Sequence, residues 1–177
     1  MAGALFYREG VRAVGVDRII AEAGVAKATL YRHFPSKEHL VAACLSERHE
    51  RVLEALKAAL EGVSGPRARL GAIFDQLRAK ADAPEFRGCA FALAVAEHGE
   101  SERVSAIART HKTAVREIFA RILSEAGISS PRTAGHLALL YEGALASVAV
   151  HRDPSFVETS RDCALDVLEW SLQQKQT

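Results

Sequence analysis

The stretch VDRIIAEAGVAKATLYRHFPSKEH, residues 16–39, has the pattern of two short helices joined by a tight turn, followed by the start of a third. Val16, Ile19 and Ile20 recur at helical spacing, and Ala23-Gly24-Val25 interrupts them. Gly24 enters a left-handed turn without the steric cost that a Cβ imposes. A second helix is expected from about Lys27 to His33, with Leu30 and Phe34, four apart, on its inner side. Lys27, Thr29, Tyr31, Arg32 and His33 are left for its other faces. A helix this small buries little by itself, so its polar face is expected to meet a partner. A helix–turn–helix with a polar, basic second helix is the arrangement that enters a DNA major groove.

Composition bounds what surrounds this stretch. A chain of 177 residues forms one compact domain, or a small domain fused to a larger one. With 49% hydrophobic and 25% charged residues, it is expected to be globular rather than disordered. The net charge of +1 means that any nucleic-acid binding must come from local charge. Cys44, Cys89 and Cys163 lie far apart, a spacing that gives neither a zinc site nor a disulfide framework. No apolar run is expected to reach the ~20 residues that cross a bilayer, so no membrane partner is expected. Met1–Leu5 leads directly into Arg8-Glu9, which does not read as a signal peptide, and a cytoplasmic location follows.

Residues 1 to about 9 read as a helix with Leu5 and Phe6 inward and Gly10 ending it. The helix from Val16 to Ala23 lacks a Ser, Thr, Asp or Asn cap, having Gly15 instead, and Asp17 compensates in part through the helix dipole. Pro35 stops the next helix and Ser36 caps a fourth, in whose first turn Lys37 favours a docked phosphate. From Ser36 to about Glu61 neither Pro nor Gly occurs, and Val41, Leu45, Val52, Leu56 and Leu60 mark a long amphipathic helix. After Val63-Ser64-Gly65-Pro66, further helices are expected over about 66–81, 86–98, 101–126, 131–151 and 154–174. The sixth, almost wholly apolar, is expected to be buried on most sides. The last two hold more apolar surface than one side of a helix layer uses, so pairing with the same helices of a second copy is expected. No strand-period pattern, repeat or low-complexity segment occurs.

The run GVDRIIAEAGVAKATLYRHFPSKEHLVAACL resembles the DNA-binding domain of the tetracycline-repressor (TetR/AcrR) family, most specifically over Ala23–Leu40; the upstream ALFYREGVRAVGVDRII fits as well. The resemblance implies an all-α protein of about nine helices. An N-terminal helix-turn-helix three-helix DNA-binding domain would occupy 1–40, and a C-terminal helical ligand-binding and dimerisation domain 41–177. The family's first helix starts about three turns earlier, after a basic arm, so here it is expected to be truncated, and position 26 is alanine where the family usually has serine. The resemblance assigns phosphate contacts to Lys27, Tyr31 and Lys37, with Ser36 beside them, and places Ala28, Thr29, Arg32 and His33 within reach of base edges or adjacent backbone. It also implies a small-molecule pocket, for which Cys89, Phe91, His98, His111 and Glu142 are candidates. The plain structural alternatives are that the lysines are solvated, that Cys89, Phe91 and His111 are core, that His98 simply ends a helix, and that Glu142 pairs with a nearby His or Arg.

The implied function is a ligand-responsive transcriptional regulator that represses from an inverted-repeat DNA operator as a homodimer, with an unidentified small-molecule effector and no cofactor or metal. Effector binding would tilt the fourth helix and move the two recognition helices out of register. The alternative is a helical dimeric module that senses a ligand or partner with weak or lost DNA binding. An enzyme is not expected: the sequence has no GxSxG, no glycine-rich phosphate loop and no HExxH.

Overall fold

The structure is a computed structural model that describes residues 1–176, with 175 and 176 as helix backbone only. Among the described residues the chain is all-α, in the order α1 (Ala2–Glu9), α2 (Val16–Ala23), α3 (Lys27–His33), α4 (Lys37–Leu60), α5 (Pro66–Ala81), α6 (Ala90–His98), α7 (Glu102–Glu125), α8 (Pro131–His151) and α9 (Ser155–Gln176). Local chemistry sets most of these limits. Pro66 and Pro131 occupy first-turn positions, where the missing N–H leaves no bond unmade. Ser130 caps α8 by accepting from the Thr133 amide at 3.1 Å. Gly127, at φ 72°, ends α7: the Ile128 amide donates to the Leu123 carbonyl at 2.9 Å.

Packing divides the chain into two compact units, Met1–Arg51 with Ala90–His111, and Val52–Cys89 with Lys112–Thr177. This is a division by contact and a different quantity from the functional boundary expected at residue 40. It falls inside α4 and α7, both of which run unbroken across it.

In the first unit the buried side chains include Leu5, Phe6, Val11, Val14, Ile19, Leu40, Val41 and Leu45, joined from later sequence by Phe91, Ala94, Val104 and Ala108. The Arg48 guanidinium lies over the Tyr7 ring, 4.3 Å from its centroid, tying α4 to α1. Arg18 forks onto the Glu9 carboxylate, with one of the two bonds at 2.9 Å, and so ties α2 to α1.

In the second unit, Phe74 of α5, Phe119 of α7 and Tyr141 of α8 form a ring cluster with centroids 6.0–6.4 Å apart. Leu70, Ile73, Leu77, Ile122, Leu137, Ala164 and Leu168 complete the core around it. α8 and α9 lie against each other and α5 lies against α9. Partly exposed ion pairs such as Arg161–Asp75 and Arg78–Glu158 line that second contact, and solvent screening limits what they add.

Three expectations are corrected. α6 begins at Ala90 rather than near Phe86, because Gly88 takes φ 81° and packs so closely that a Cβ there would lie 2.9 Å from the Leu145 carbonyl oxygen. α6 is also not buried on most sides: only Phe91 and Ala94 are, so its apolar composition reflects alanine rather than depth. Finally, Pro131–His151 contains an 18-residue window of mean hydropathy 1.2, long and apolar enough to cross a bilayer by length and composition. One face of it, with Leu137, Tyr141, Ala144 and Val148, is nevertheless part of the second unit's core.

Phe74 is fully buried against two other rings. Phe74→Ala should lower unfolding free energy by about 3–5 kcal/mol, read as a shifted midpoint in denaturant titration; a change under about 1 kcal/mol would mean that the ring cluster does not hold this unit.

Candidate nucleic-acid interface

The turn between α2 and α3 is built as its sequence suggests. Gly24 sits at φ 64°, ψ 29°, in the left-handed region, and its amide donates to the Ala21 carbonyl at 3.3 Å. α3 then follows with no buried residue at all. Leu30 and Phe34, expected in the core, are half-buried, which corrects that reading: a seven-residue helix on this small unit is covered on one side only. Positions i, i+1, i+4 and i+5 share a helical face, so Lys27, Ala28, Tyr31 and Arg32 form one exposed patch, with Tyr31 39% exposed. His33 is exposed beyond it and Thr29 is half-buried.

Two of the predicted cations already have intramolecular partners. Lys27 Nζ donates to Asp17 Oδ1 at 2.9 Å, and this carboxylate, first among the causes, raises the ammonium pKa. Lys37 Nζ reaches the Arg12 carbonyl at 3.5 Å; burial lowers its pKa, while the Glu97 carboxylate acts in the opposite sense. Ser36 caps α4, accepting from the His39 amide at 3.3 Å, and its hydroxyl lies 2.8 Å from His39 Nδ1. The α2–α3 corner and the start of α4 thus present Lys27, Tyr31, Arg32 and Lys37 together with helix-end amides, the donor set that phosphate oxygens require.

The pocket candidates separate into two groups. In the first unit, His111 is 5% exposed and stacks on Phe91, with centroids 3.7 Å apart, and its Nδ1 lies 3.2 Å from His49 Nδ1. One of those nitrogens must carry the proton and the other accept it. His98, at the end of α6, pairs with Glu100 at 3.1 Å. In the second unit, Glu142 pairs with Lys112 at 3.0 Å, so its partner is neither the His nor the Arg expected, and Cys89 lies close enough to Tyr141 to couple electrostatically with that buried phenol. Sequence reading missed Asp17, His49 and Lys112. Asp17 alone had a local signal, standing in the first turn of α2 where an acid was noted only for its dipole effect.

Comparison with known proteins gives these geometries a setting. Residues 2–44 match the family model described as "Bacterial regulatory proteins, tetR family". Over 71 residues the chain is 37% identical to the HTH-type transcriptional activator FasR of Mycolicibacterium smegmatis, covering 40% of this chain and 32% of that protein. It is 31% identical over 74 residues to the HTH-type transcriptional regulator LmrA of Bacillus subtilis, covering 41% of this chain and 39% of that protein. The matched region thus spans about a third to two fifths of these curated relatives. At full length, the crystal structure of a TetR-family transcriptional regulator from Streptomyces coelicolor superposes with a TM-score of 0.84 at 31% identity, covering 98% of this chain and 90% of that one.

α3 starts without a side-chain cap, since Ala26 has the extended backbone of a cap residue (φ −69°, ψ 142°) but no oxygen to offer. Ala26→Ser should therefore stabilise the chain by about 1 kcal/mol with no change of fold, visible as a raised thermal midpoint; an unchanged or lowered midpoint would show that the site cannot use a cap.

Proposed function

This chain belongs to the tetR family of bacterial regulatory proteins, and from that premise we propose that it is a DNA-binding transcriptional regulator rather than an enzyme. It binds an inverted-repeat operator in the cytoplasm as a homodimer, and a small-molecule effector releases it. The observation that carries the DNA reading is the uncovered face of α3, on which Lys27, Ala28, Tyr31 and Arg32 lie side by side in a helix with no buried residue. Lys27, Tyr31, Ser36 and Lys37 serve phosphates, and Ala28, Thr29, Arg32 and His33 face bases or the adjoining backbone. Because Lys27 is paired with Asp17, it exchanges a carboxylate for a phosphate on binding.

The homodimer reading is supported by the face that α8 and α9 leave over. Leu139, Gly143, Ala146 and Val150 form an exposed stripe on α8, with Leu139 at 69% and Val150 at 76% exposure, and Trp170 of α9 is exposed as well. Small residues at that spacing let a second copy's helices approach closely. For the effector, the Phe91–His111–His49 cluster supports a contact site in the first unit, since it sets a buried and a half-buried imidazole beside an aromatic ring. Cys89, His98 and Glu142 are the remaining pocket candidates. α4 carries the response because it starts at the phosphate-facing Lys37 and extends to Leu60. Repression is the proposed sign because occupancy of DNA alone achieves it. The relative named as an activator is matched over only 32% of its length, too little to carry its sign to this chain.

Two measurements test this. In fluorescence anisotropy with DNA flanking the chain's own reading frame, Tyr31→Ala should weaken binding about tenfold across sequences, and Lys37→Ala should lower the slope of log affinity on log salt by about 1. Wild-type binding too weak to resolve from a scrambled duplex at every salt concentration would end the reading. In sedimentation velocity, Leu139→Glu should convert a dimer to monomer without loss of helix content; a monomeric wild type, or a dimeric variant, would remove this face from the interface.

A further inference from the structure

The end of α6 and the start of α7 hold the α1–α2 corner and the first turn of α4 at one point each. The Glu97 carboxylate accepts from the Arg12 amide at 2.8 Å, and the Arg12 side chain returns the contact, its Nε donating to the Glu97 carbonyl at 2.6 Å. Gly10, at φ 97°, lets this happen: a Cβ there would lie 2.9 Å from both carboxylate oxygens. Four residues beyond Glu97, the Ser101 hydroxyl donates to Glu38 Oε1 while accepting from the Val104 amide at 3.2 Å, so it caps α7 and grips the first turn of α4 together. Both held points adjoin Lys37. The Arg12 carbonyl accepts from Lys37 Nζ, and Glu38 follows Lys37 in the chain.

We propose that Glu97 is a positioning residue for DNA binding, through which α6 fixes the α1–α2 corner and the lysine that faces phosphate. The proposal rests on the DNA-facing reading of α3 and Lys37. It adds a route by which movement of α6 reaches the DNA surface at the α1–α2 corner, separate from any tilt of α4. A carboxylate accepting from a backbone amide makes a charge-assisted bond, stronger than its neutral counterpart and lost when donor and acceptor part by a fraction of an ångström beyond about 3.2 Å. A small displacement of α6 therefore releases the Arg12 amide and lets the backbone at residue 12, whose carbonyl oxygen lies 3.5 Å from Lys37 Nζ, move away from that lysine. Glu97 also offsets part of the burial that works against the Lys37 ammonium, so the same carboxylate acts on geometry and on charge.

Glu97→Ala and Glu97→Gln separate these two effects, because the glutamine carbonyl keeps an acceptor at the same reach without the charge. With the flanking-DNA duplex as probe, Glu97→Ala should weaken binding about tenfold and Glu97→Gln less than about threefold. In the free proteins, hydrogen exchange at the Arg12 amide should be about tenfold faster in Glu97→Ala and near wild type in Glu97→Gln. If both variants tighten binding alike, Glu97 acts only as a negative charge near phosphate and the positioning role is overturned. Wild-type exchange and affinity in Glu97→Ala would overturn it too. Failure of the DNA reading is distinguishable: the wild type then binds no duplex, which removes the proposed role, while Arg12 exchange still reports whether the clamp forms.

Discussion

A short helix with nothing buried has no means of fixing its own orientation. α3 has seven residues, none of them fully covered, and a helix of that length is marginal in water. Its direction is borrowed from its borders: the left-handed turn at Gly24 on one side, and Pro35 with the Ser36 cap on the other. Everything that steadies α2 and the start of α4 therefore acts on α3 at second hand. The Arg18–Glu9 fork, the Arg48–Tyr7 contact and the Glu97–Arg12 exchange all belong to that support.

Charge is arranged with similar economy. The chain is nearly neutral, so attraction to a polyanion has to be local. Lys27 is held by Asp17, and Lys37 lies near Arg12 and Glu97. Lys27–Asp17 is a solvent-exposed pair, which a phosphate displaces at little cost under the proposed function. Under the proposed function, such a surface favours a partner that presents several phosphates in the correct places at once.

Much of this was legible in the sequence, for reasons that can be located. Caps, prolines and glycines are local signals, and they set the ends of α4, α7 and α8 to within a residue or two. The Gly24 turn and the exposed residues of α3 were likewise readable, because spacing on a helix is a local property. The start of α6 was not, since the Gly88 conformation is tied to a carbonyl at Leu145, far along the chain. Leu30 and Phe34 were read as core from spacing alone, which says which way a side chain points and nothing of how much covers it. Glu97 and Arg12 are 85 positions apart, and no period links them. Nor did any pattern announce Lys112 beside Glu142.

The first packing unit is discontinuous: it takes Met1–Arg51, omits the segment that follows, and resumes at Ala90–His111. During synthesis α2 and α3 precede Phe91, Ala94, Val104 and Ala108, part of the buried set of their unit, by the whole intervening segment. Until then the nascent N-terminus is a set of amphipathic helices with an unfilled core, a state exposed to aggregation and dependent on slow long-range closure. Completion of the first unit's core is thereby tied to the ribosome's progress past residue 111, so a message broken before that point yields fragments that hold α2 and α3 without the later side chains packed in their unit.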